Sequence, residues 1–475
     1  MHSPILIHLV LLGAFKVEIK LAIQSYQARA QQASSQRCVN LYVEKNPDGA
    51  KGNFTLYGTP GLSVYRTLPA GNVNNMIDID GVIYAVGEDW LYKIDGATIT
   101  NLGYLNPTVG RVSMSRNNEY LVIIKDNGEG WTYNTQTSVF SQITDPAFPI
   151  STNSVFLAQY TIVGRAGTGQ FWWSDIANPT VWNGLSFATA EGSPDNLVAV
   201  ATVNSELWLF GERTTEIWAN TGNFDLPFQR IGSAFMEQGL AAKHSVANRN
   251  NHLYWLSDDR IVFTNQGYSA RKLSTFAMEN EWQSYDDVSD AIGFTYQQEG
   301  HYFYCLTFPT QKKTWVYDLA TDLWHERESM DSRWVANNIV EMRNAVYCGD
   351  YKTGNIYKVD LNVYSEAGDL IKRSNTFAPM FNEGKRLLFS KLLIDIQAGQ
   401  GLEDNLDPQV ILDWSDDGGM TFGNELKSSI GKVGEYLTRA VFFRLGQSRQ
   451  RVFRIKFYDP IKIGVIGGYA EVVSE

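Results

Sequence analysis

The chain of 475 residues is 44% hydrophobic and 13% aromatic but only 19% charged, with 40 glycines and 14 prolines. That composition excludes a disordered or coiled-coil protein and points to an ordered, strand-rich one, while the length demands two or three domains or one large repeat architecture. A formal charge of -11 excludes a protein that grips nucleic acid over its whole surface, which needs clustered Lys and Arg, although an acidic channel past which DNA slides stays compatible.

The first stretch, MHSPILIHLVLLGAF, holds an apolar run from Pro4 to Phe15. It lacks a basic leader and a small-residue cleavage site and is too short to span a bilayer. It is expected to be a strand packed on a partner, or the product of an over-extended start, and no other segment suggests membrane insertion. Residues 25–65 follow with a non-repetitive pattern. In TPGL, Pro60 and Gly61 are expected to form a turn, with Tyr57 and Leu62 as core anchors. Arg29, Arg37, Asn40, Tyr42 and Glu44 either tie this segment to the repeat region that follows or stand at a partner or subunit contact; tying is the favoured reading.

From residue 81 an aromatic hairpin recurs: GVIYAVGEDWLYKID (81–95), EYLVIIKDNGEGWTYN (119–134), YTIVGRAGTGQFWWS (160–174), ELWLFGERTTEIWAN (206–220), HLYWLSDDRIVFTN (252–265), HYFYCLTFPTQKKTWVYD (301–318) and AVYCGDYKTGNIYKVD (345–360). Each pairs two β-branched or aromatic strands across a polar turn. The starts lie roughly 38 to 49 residues apart, the period of β-propeller blades of four strands. The fragment TWVYDLATDLWHER (314–327) then reads as strand three of a blade leading into strand four. In Leu207, Trp208, Leu209 and Phe210 both faces of the strand are apolar, as expected where neighbouring blades cover both. The repeats carry no strict WD or kelch signature, so six or seven blades fit.

Near residue 365 the hairpin period breaks. The remaining strands are evenly spaced, and RVFRIKF places Phe453, Ile455 and Phe457 on one side and Arg454 and Lys456 on the other. The expected architecture is therefore all-β: an N-terminal extension and wrapping segment over 1–70, a degenerate six- or seven-bladed propeller over 71–365, and an antiparallel β-sandwich-like domain over 366–475.

No catalytic, cofactor or metal constellation emerges. Cys38, Cys305 and Cys348 lack ligand or disulfide-framework spacing, and folding in a reducing cytosol is the simplest reading. His252 and His301 open equivalent strands of successive hairpins, which makes a shared axial metal conceivable, but no partner ligands recur at that place in other repeats. GRAGTGQ (164–170) lacks the Lys of a phosphate loop and reads as a hairpin turn. SDDGGMTF (Ser415 to Phe422) matches an Asp-box, expected to be a turn in which Asp417 bonds the backbone, Gly419 supplies a positive φ and Phe422 packs below. The acid pairs Asp258/Asp259, Asp286/Asp287 and Asp416/Asp417 read as solvated turns rather than the carboxylate dyad of a glycosidase. Arg444, Arg449, Arg451, Arg454 and Lys456 form the densest basic stretch; they either protect strand edges by charge or contact an acidic partner subunit or DNA.

The order SYQAR, QRCVNLYVE and LYGTPGL within residues 25–65 resembles the opening of the packaged-DNA stabilisation proteins of short-tailed bacteriophages, also called tail accessory factors, hubs or nozzles. GRVSMSRNNEYLVII (110–124), FWWSDIANPTVWNGLSFATAEGSPDNLVAV (171–200), TTEIWANTG (214–222) and RIKFYDP (454–460) extend the resemblance from about residue 25 to the end, leaving residues 1–24 unaligned. It implies a non-enzymatic virion protein without cofactor: a ring, in relatives a homohexamer, docked beneath the portal and adaptor rings and assembled in the host bacterial cytoplasm. Such a ring extends the DNA channel, helps to retain the packaged genome and attaches tail needle, plug, tailspike or fibre proteins. DNA then passes through the lumen without sequence-specific binding, past a wall expected to be net negative. Arg29, Arg37, Arg444, Arg449 and Arg451 are the residues assigned to partner or subunit contact. The alternative is a propeller that binds or hydrolyses glycans on a tail or cell surface.

Overall fold

The computed structural model describes residues 15–107, 110–190, 192–224, 226–400 and 407–474. The apolar run beginning at Pro4 lies, except for Phe15, outside the described residues. The chain forms two compact units, one spanning Pro60–Gly368 and the other combining the residues up to Thr59 with those from Asp369 onward.

Among the described residues the first unit is a ring of seven blades, numbered in chain order, each with four antiparallel strands; five are separate four-stranded sheets, and the strands of blades 6 and 7 belong to larger sheets. Their first strands are Asn75–Ile79, Ser113–Asn117, Ser151–Leu157, Leu197–Val203, Ala247–Arg249, Ile292–Gln298 and Ala336–Met342. Each recurrent hairpin forms strands two and three of one blade, as in Glu206–Gly211 and Thr215–Asn220 of blade 4. In blade 6, Lys313–Asp318 leads into the fourth strand Leu323–Glu326. The intervening turn is held by Asp318, whose carboxylate accepts from the Ala320 amide at 2.9 Å and the Thr321 hydroxyl at 2.9 Å.

Tight turns join the first and second strands, and several place two successive residues at positive φ: Asp80–Gly81, Asn204–Ser205, Asn250–Asn251 and Glu299–Gly300. Two left-handed residues match the twist of the strands they connect, which is why Asn, Asp and Gly recur there.

Alternation along the strands distributes side chains between successive blade interfaces. Leu207 and Leu209 pack with Phe171 and Trp173 of blade 3, whereas Trp208 and Phe210 of the same strand pack with Leu253 and Trp255 of blade 5. Leu121 and Ile123 face blade 1, while Val122 and Ile124 face blade 3. A period of two with both faces apolar is thus what a sheet sandwiched between two others requires.

The ring closes with a strand from the other end of its sequence. Gly61–Thr67 pairs antiparallel with Asn355–Asp360 and becomes the fourth strand of blade 7, with Ser365–Glu366 paired parallel on its outer side. Gly61 is required at the crossing, because a Cβ there would lie 2.4 Å from the Val363 oxygen and 2.5 Å from that of Ser365. The next residue, Leu62, is buried as expected; Gly61 itself is strand rather than turn.

The second unit is a β-sandwich. One sheet runs in the order Leu41–Lys45, Phe54–Gly58, Gly464–Ser474, Leu387–Ile396, Ala440–Ser448, with Phe15–Glu18 added beside Gly464–Ser474. The other contains Ser35–Val39, Arg373–Thr376, Gln450–Phe457, Gln409–Ser415 and Gly423–Ser429. Phe389 of one sheet meets Phe453 of the other edge-on at 5.4 Å between ring centroids. Phe453, Ile455 and Phe457 are buried. The segment expected to wrap as a separate piece over 1–70 is divided instead: its strands up to Gly58 complete the sandwich sheets, and Gly61–Thr67 completes the propeller. In both places it covers main-chain groups that an incomplete sheet would leave unpaired.

Candidate functional site

The first strands surround the propeller axis, and side-chain hydrogen bonds tie each to its neighbour. Asn75 donates to the Val112 oxygen at 2.9 Å, and Ser115 meets Ser154 at 2.7 Å. Asn153 donates to the Val200 oxygen at 2.8 Å and accepts from its amide at 2.9 Å. Asn248 donates to Thr202 at 3.0 Å, and Thr295 to Asn248 at 3.0 Å. The Gln297 amide donates to Glu341 at 2.7 Å, and Asn337 donates to Val73 at 3.0 Å. Polar side chains succeed here because they pair main-chain groups of the neighbouring first strand that would otherwise stay unpaired.

Within this ring lies a cavity of about 900 Å³, lined by Arg111, Lys243, His244, Arg333, Asp126 and Asp290 among others. A second space of about 370 Å³ shares Arg111, Lys243 and His244 with it. Arg111, at the start of blade 2, donates one nitrogen to the oxygens of Asn74 at 3.1 Å and Asn337 at 2.9 Å. Desolvation, and then repulsion by the Arg333 guanidinium, draw its pKa down to about 9, so it stays charged at neutral pH. Burial, followed by the charges of Arg111 and Lys243, holds His244 well below the ordinary histidine value, hence neutral. Lys243 is paired with Asp126. The volume suits a small molecule; a duplex, whose major groove alone is ~12 Å wide, does not fit, so the propeller axis is no DNA passage.

The histidines singled out by position do not meet. His301 contacts the Asp318 carboxylate at 2.7 Å, and His252 contacts the Asn265 main-chain oxygen at 2.9 Å. Among the described residues no group of three or more His, Cys, Asp or Glu side chains is arranged to hold a metal. The acid pairs lie in turns. Asp258 accepts from the Gly239 amide at 3.0 Å, and Asp287 accepts from the Ser289 amide at 2.8 Å. Asp417 accepts from the amides of Met420 at 2.9 Å and Thr421 at 3.0 Å, and its hydrogen bonds with Ser415 and Thr421 hold its carboxyl below the usual range. Gly419 has a φ of 96°, and Phe422 lies under the Arg454 guanidinium at 3.9 Å.

The basic stretch divides by face. Arg451 is only 2% exposed and forks onto Asp416 at 2.7 and 2.8 Å, its guanidinium 4.8 Å from the centroid of the Phe389 ring. Its assignment to a partner contact does not survive that burial: strand alternation turns it inward. Arg454 forks onto buried Asp413 at 2.9 and 2.6 Å, and Lys456 joins the same carboxylate at 3.0 Å. Arg444 and Arg449 are exposed, as is Arg29, while Arg37 is half-buried in a sandwich strand. Asn40 donates to the Lys372 oxygen at 2.8 Å, within the sandwich unit rather than the propeller, and Tyr42 packs near Tyr57 of its own segment; Glu44 is exposed.

Three features went unassigned in the sequence: the axial side-chain ring, Arg111 and Arg327. An Asn a few residues before the hairpin in four of the blades, at Asn75, Asn153, Asn248 and Asn337, was the available signal for the first. Arg327 is buried against Trp334 at 3.5 Å and donates to the Pro60 oxygen at 2.9 Å, locking the start of the closing strand. Large apolar side chains are exposed in both units: Leu185, within the outer strand Asn178–Thr189 of blade 3, is 85% exposed, Phe224, between the third and fourth strands of blade 4, is 73% exposed, and Tyr436 and Leu437 are exposed in the sandwich.

Among curated proteins none matches this chain. The crystal structure of the computationally designed Ika8 protein covers 63% of this chain and 99% of its own, at 10% identity and a TM-score of 0.41, a likeness too slight to carry an argument. Two family models do match: one described as bacteriophage P22 Gp10, beta-propeller, over residues 22–364, and one described as bacteriophage P22 Gp10, beta-sandwich, over residues 375–473. The chain belongs to the bacteriophage P22 Gp10 family, the packaged-DNA stabilisation or tail hub proteins of short-tailed phages.

Proposed function

We propose that the protein is a tail hub or nozzle subunit of a short-tailed phage virion, assembling as a homohexameric ring below the portal and adaptor. The observation that carries this reading is the match of the family to both the propeller and the sandwich. The ring extends the DNA channel, helps to retain the packaged genome and attaches needle, plug, tailspike or fibre proteins. It does so as a structural, non-enzymatic protein, built in the host cytoplasm and carried in the virion tail.

The physical features suit that role. A propeller stapled at its axis and fastened at blade 7 is a rigid support for long loops, and exposed apolar side chains such as Leu185 and Phe224 offer anchors for neighbouring proteins. Because the propeller axis is too narrow for a duplex, the DNA channel must lie between subunits. With a chain charge of -11, its wall is expected to be net negative, so that DNA slides rather than sticks. Arg29, Arg37, Arg444 and Arg449 remain the candidates for subunit or partner contacts.

Electron microscopy of the purified protein mixed with portal and adaptor rings tests this. Sixfold density continuing the portal channel is the expected result; a monomer that ignores those rings, or a channel wall lined by Lys and Arg, overturns the ring or its acidic lumen respectively.

A further inference from the structure

The two units differ in charge. Residues 60–368 carry 34 Asp and Glu against 20 Lys and Arg, a balance of -14, whereas residues 1–59 with 369–475 carry 17 against 20, a balance of +3. The cations of the sandwich are concentrated at one place. Between residues 427 and 449 stand five of them, Lys427, Lys432, Arg439, Arg444 and Arg449, and a single acid, Glu435. All five are exposed, and none makes an ion pair among the described residues.

Large apolar side chains stand among these charges. Val433 is 62% exposed, Tyr436 71%, Leu437 94% and Phe443 60%. The turn that carries the first three is built rather than slack. The Gly434 amide donates to the Gly399 oxygen at 3.2 Å, the Glu435 amide to Lys432 at 3.0 Å and the Thr438 amide to Glu435 at 3.2 Å, while the Lys432 amide donates to the Glu435 carboxylate at 3.0 Å. Tyr436 lies against Gly399, where a Cβ would come within 2.6 Å of its ring. The turn thus holds apolar groups out in water, an exposure that a partner removes without first ordering the loop. Phe443 belongs to the strand that follows, Ala440–Ser448, at the edge of its sheet.

Apolar and basic side chains interleaved in this way fit an acidic protein surface. Duplex phosphates would satisfy the cations but leave Tyr436 and Leu437 in water. The acidic surface that identical subunits bring with them is the propeller, and a contact between unlike faces of identical subunits closes a ring when it is repeated. We infer that residues 427–449 of one copy dock on the propeller of the next, with Tyr436 and Leu437 as the apolar anchors and the five cations facing propeller carboxylates. This assigns faces to the ring proposed above and rests on that reading.

Carbodiimide coupling, which joins lysine amines to carboxylates in direct contact, tests the inference in rings assembled from the full chain on portal and adaptor proteins, with half of the subunits labelled with heavy nitrogen. Mass mapping is expected to find Lys427 or Lys432 of one copy joined to an Asp or Glu within residues 60–368 of another. Reversing three charges together, Arg439→Glu, Arg444→Glu and Arg449→Glu, should lower the yield of rings by about tenfold or more, and high salt should lower the wild-type yield. Rings in which the two lysines couple only to their own copy, to another sandwich or to the portal and adaptor, or a triple variant that assembles like wild type, overturn the inference and leave the ring reading standing. If the wild-type chain forms no ring, the ring reading falls and this inference falls with it. Should the triple variant fail to fold, the couplings in the wild-type ring decide alone.

Discussion

Arg111 and Asn337 stand 226 residues apart in sequence, yet the guanidinium of the first donates to the main-chain oxygen of the second at 2.9 Å, joining the start of blade 2 to blade 7 across the line of ring closure. Arg111→Ala removes this bond and the one to Asn74, stranding the Asn337 oxygen, while the Asn74 oxygen keeps the Asn337 side-chain amide at 3.2 Å. A loss of about 2–4 kcal/mol is expected, read as a lower urea midpoint with an unchanged slope; a midpoint within error of wild type would show that Arg111 does not staple the ring.

Ring closure has a more local weak point at Gly61. In Gly61→Ala the new methyl must displace the main-chain oxygens of Val363 or Ser365, neither of which is a flexible side-chain end. The closing strand should detach from blade 7, with faster proteolysis between residues 61 and 67 than in wild type. Limited proteolysis followed by mass mapping checks the site of first cleavage.

In the sandwich, buried Asp413 pairs with both Arg454 and Lys456, and Glu425 also pairs with Lys456. Asp413→Ala leaves two cations without their shared partner and is expected to cost about 3–5 kcal/mol. Arg444→Ala and Arg449→Ala, both at exposed positions, should change stability by less than ~0.5 kcal/mol. If they nonetheless reduce incorporation into rings, measured by sedimentation of the mixed connector proteins, they are contact residues; unchanged assembly removes them from that role.

Acid should loosen the propeller. Burial, only partly offset by Asp318 and reinforced by Arg327 and His301, pushes His325 from 6.5 down to about 3. Above pH 6.5 the ring is neutral in both folded and unfolded chains, so its full contribution is present. Below that value the unfolded chain takes up a proton that the folded one refuses, so stability falls as pH drops towards about 3. His325→Gln should flatten that part of the pH profile of unfolding free energy; a profile as steep as wild type would assign the acid sensitivity to other groups such as His244.

Leu185 and Phe224 are solvent-facing, so Leu185→Ser and Phe224→Ser should leave the thermal midpoint unchanged within about 1 °C. If these exposed side chains anchor tail proteins, pull-down of a needle or tailspike partner by the variant should weaken. Wild-type capture by both variants would move the anchor elsewhere.

The repeat was legible because a propeller writes itself locally. Each hairpin is strands two and three of one blade, and Leu207 to Phe210 show the two apolar faces within four residues. The Asp-box was legible for the same reason, since Asp417 bonds only to residues within four positions of itself. The basic stretch was misread in part: alternation correctly put Arg454 and Lys456 on one face, but it also puts Arg451 inside, beside Phe389, where an exposed contact had been expected.

The sequence by itself determined an all-β chain, its blade period, the change of character near residue 365 and the absence of a catalytic motif, since composition, alternation and turn chemistry act over a few residues. Only the tertiary structure decided that the blades number seven, that Gly61–Thr67 closes the last of them, and that Arg111, His244 and Arg333 share one cavity. Those relationships depend on which distant strands become neighbours when the ring shuts, and cooperative packing between blades, rather than any local preference, selects them.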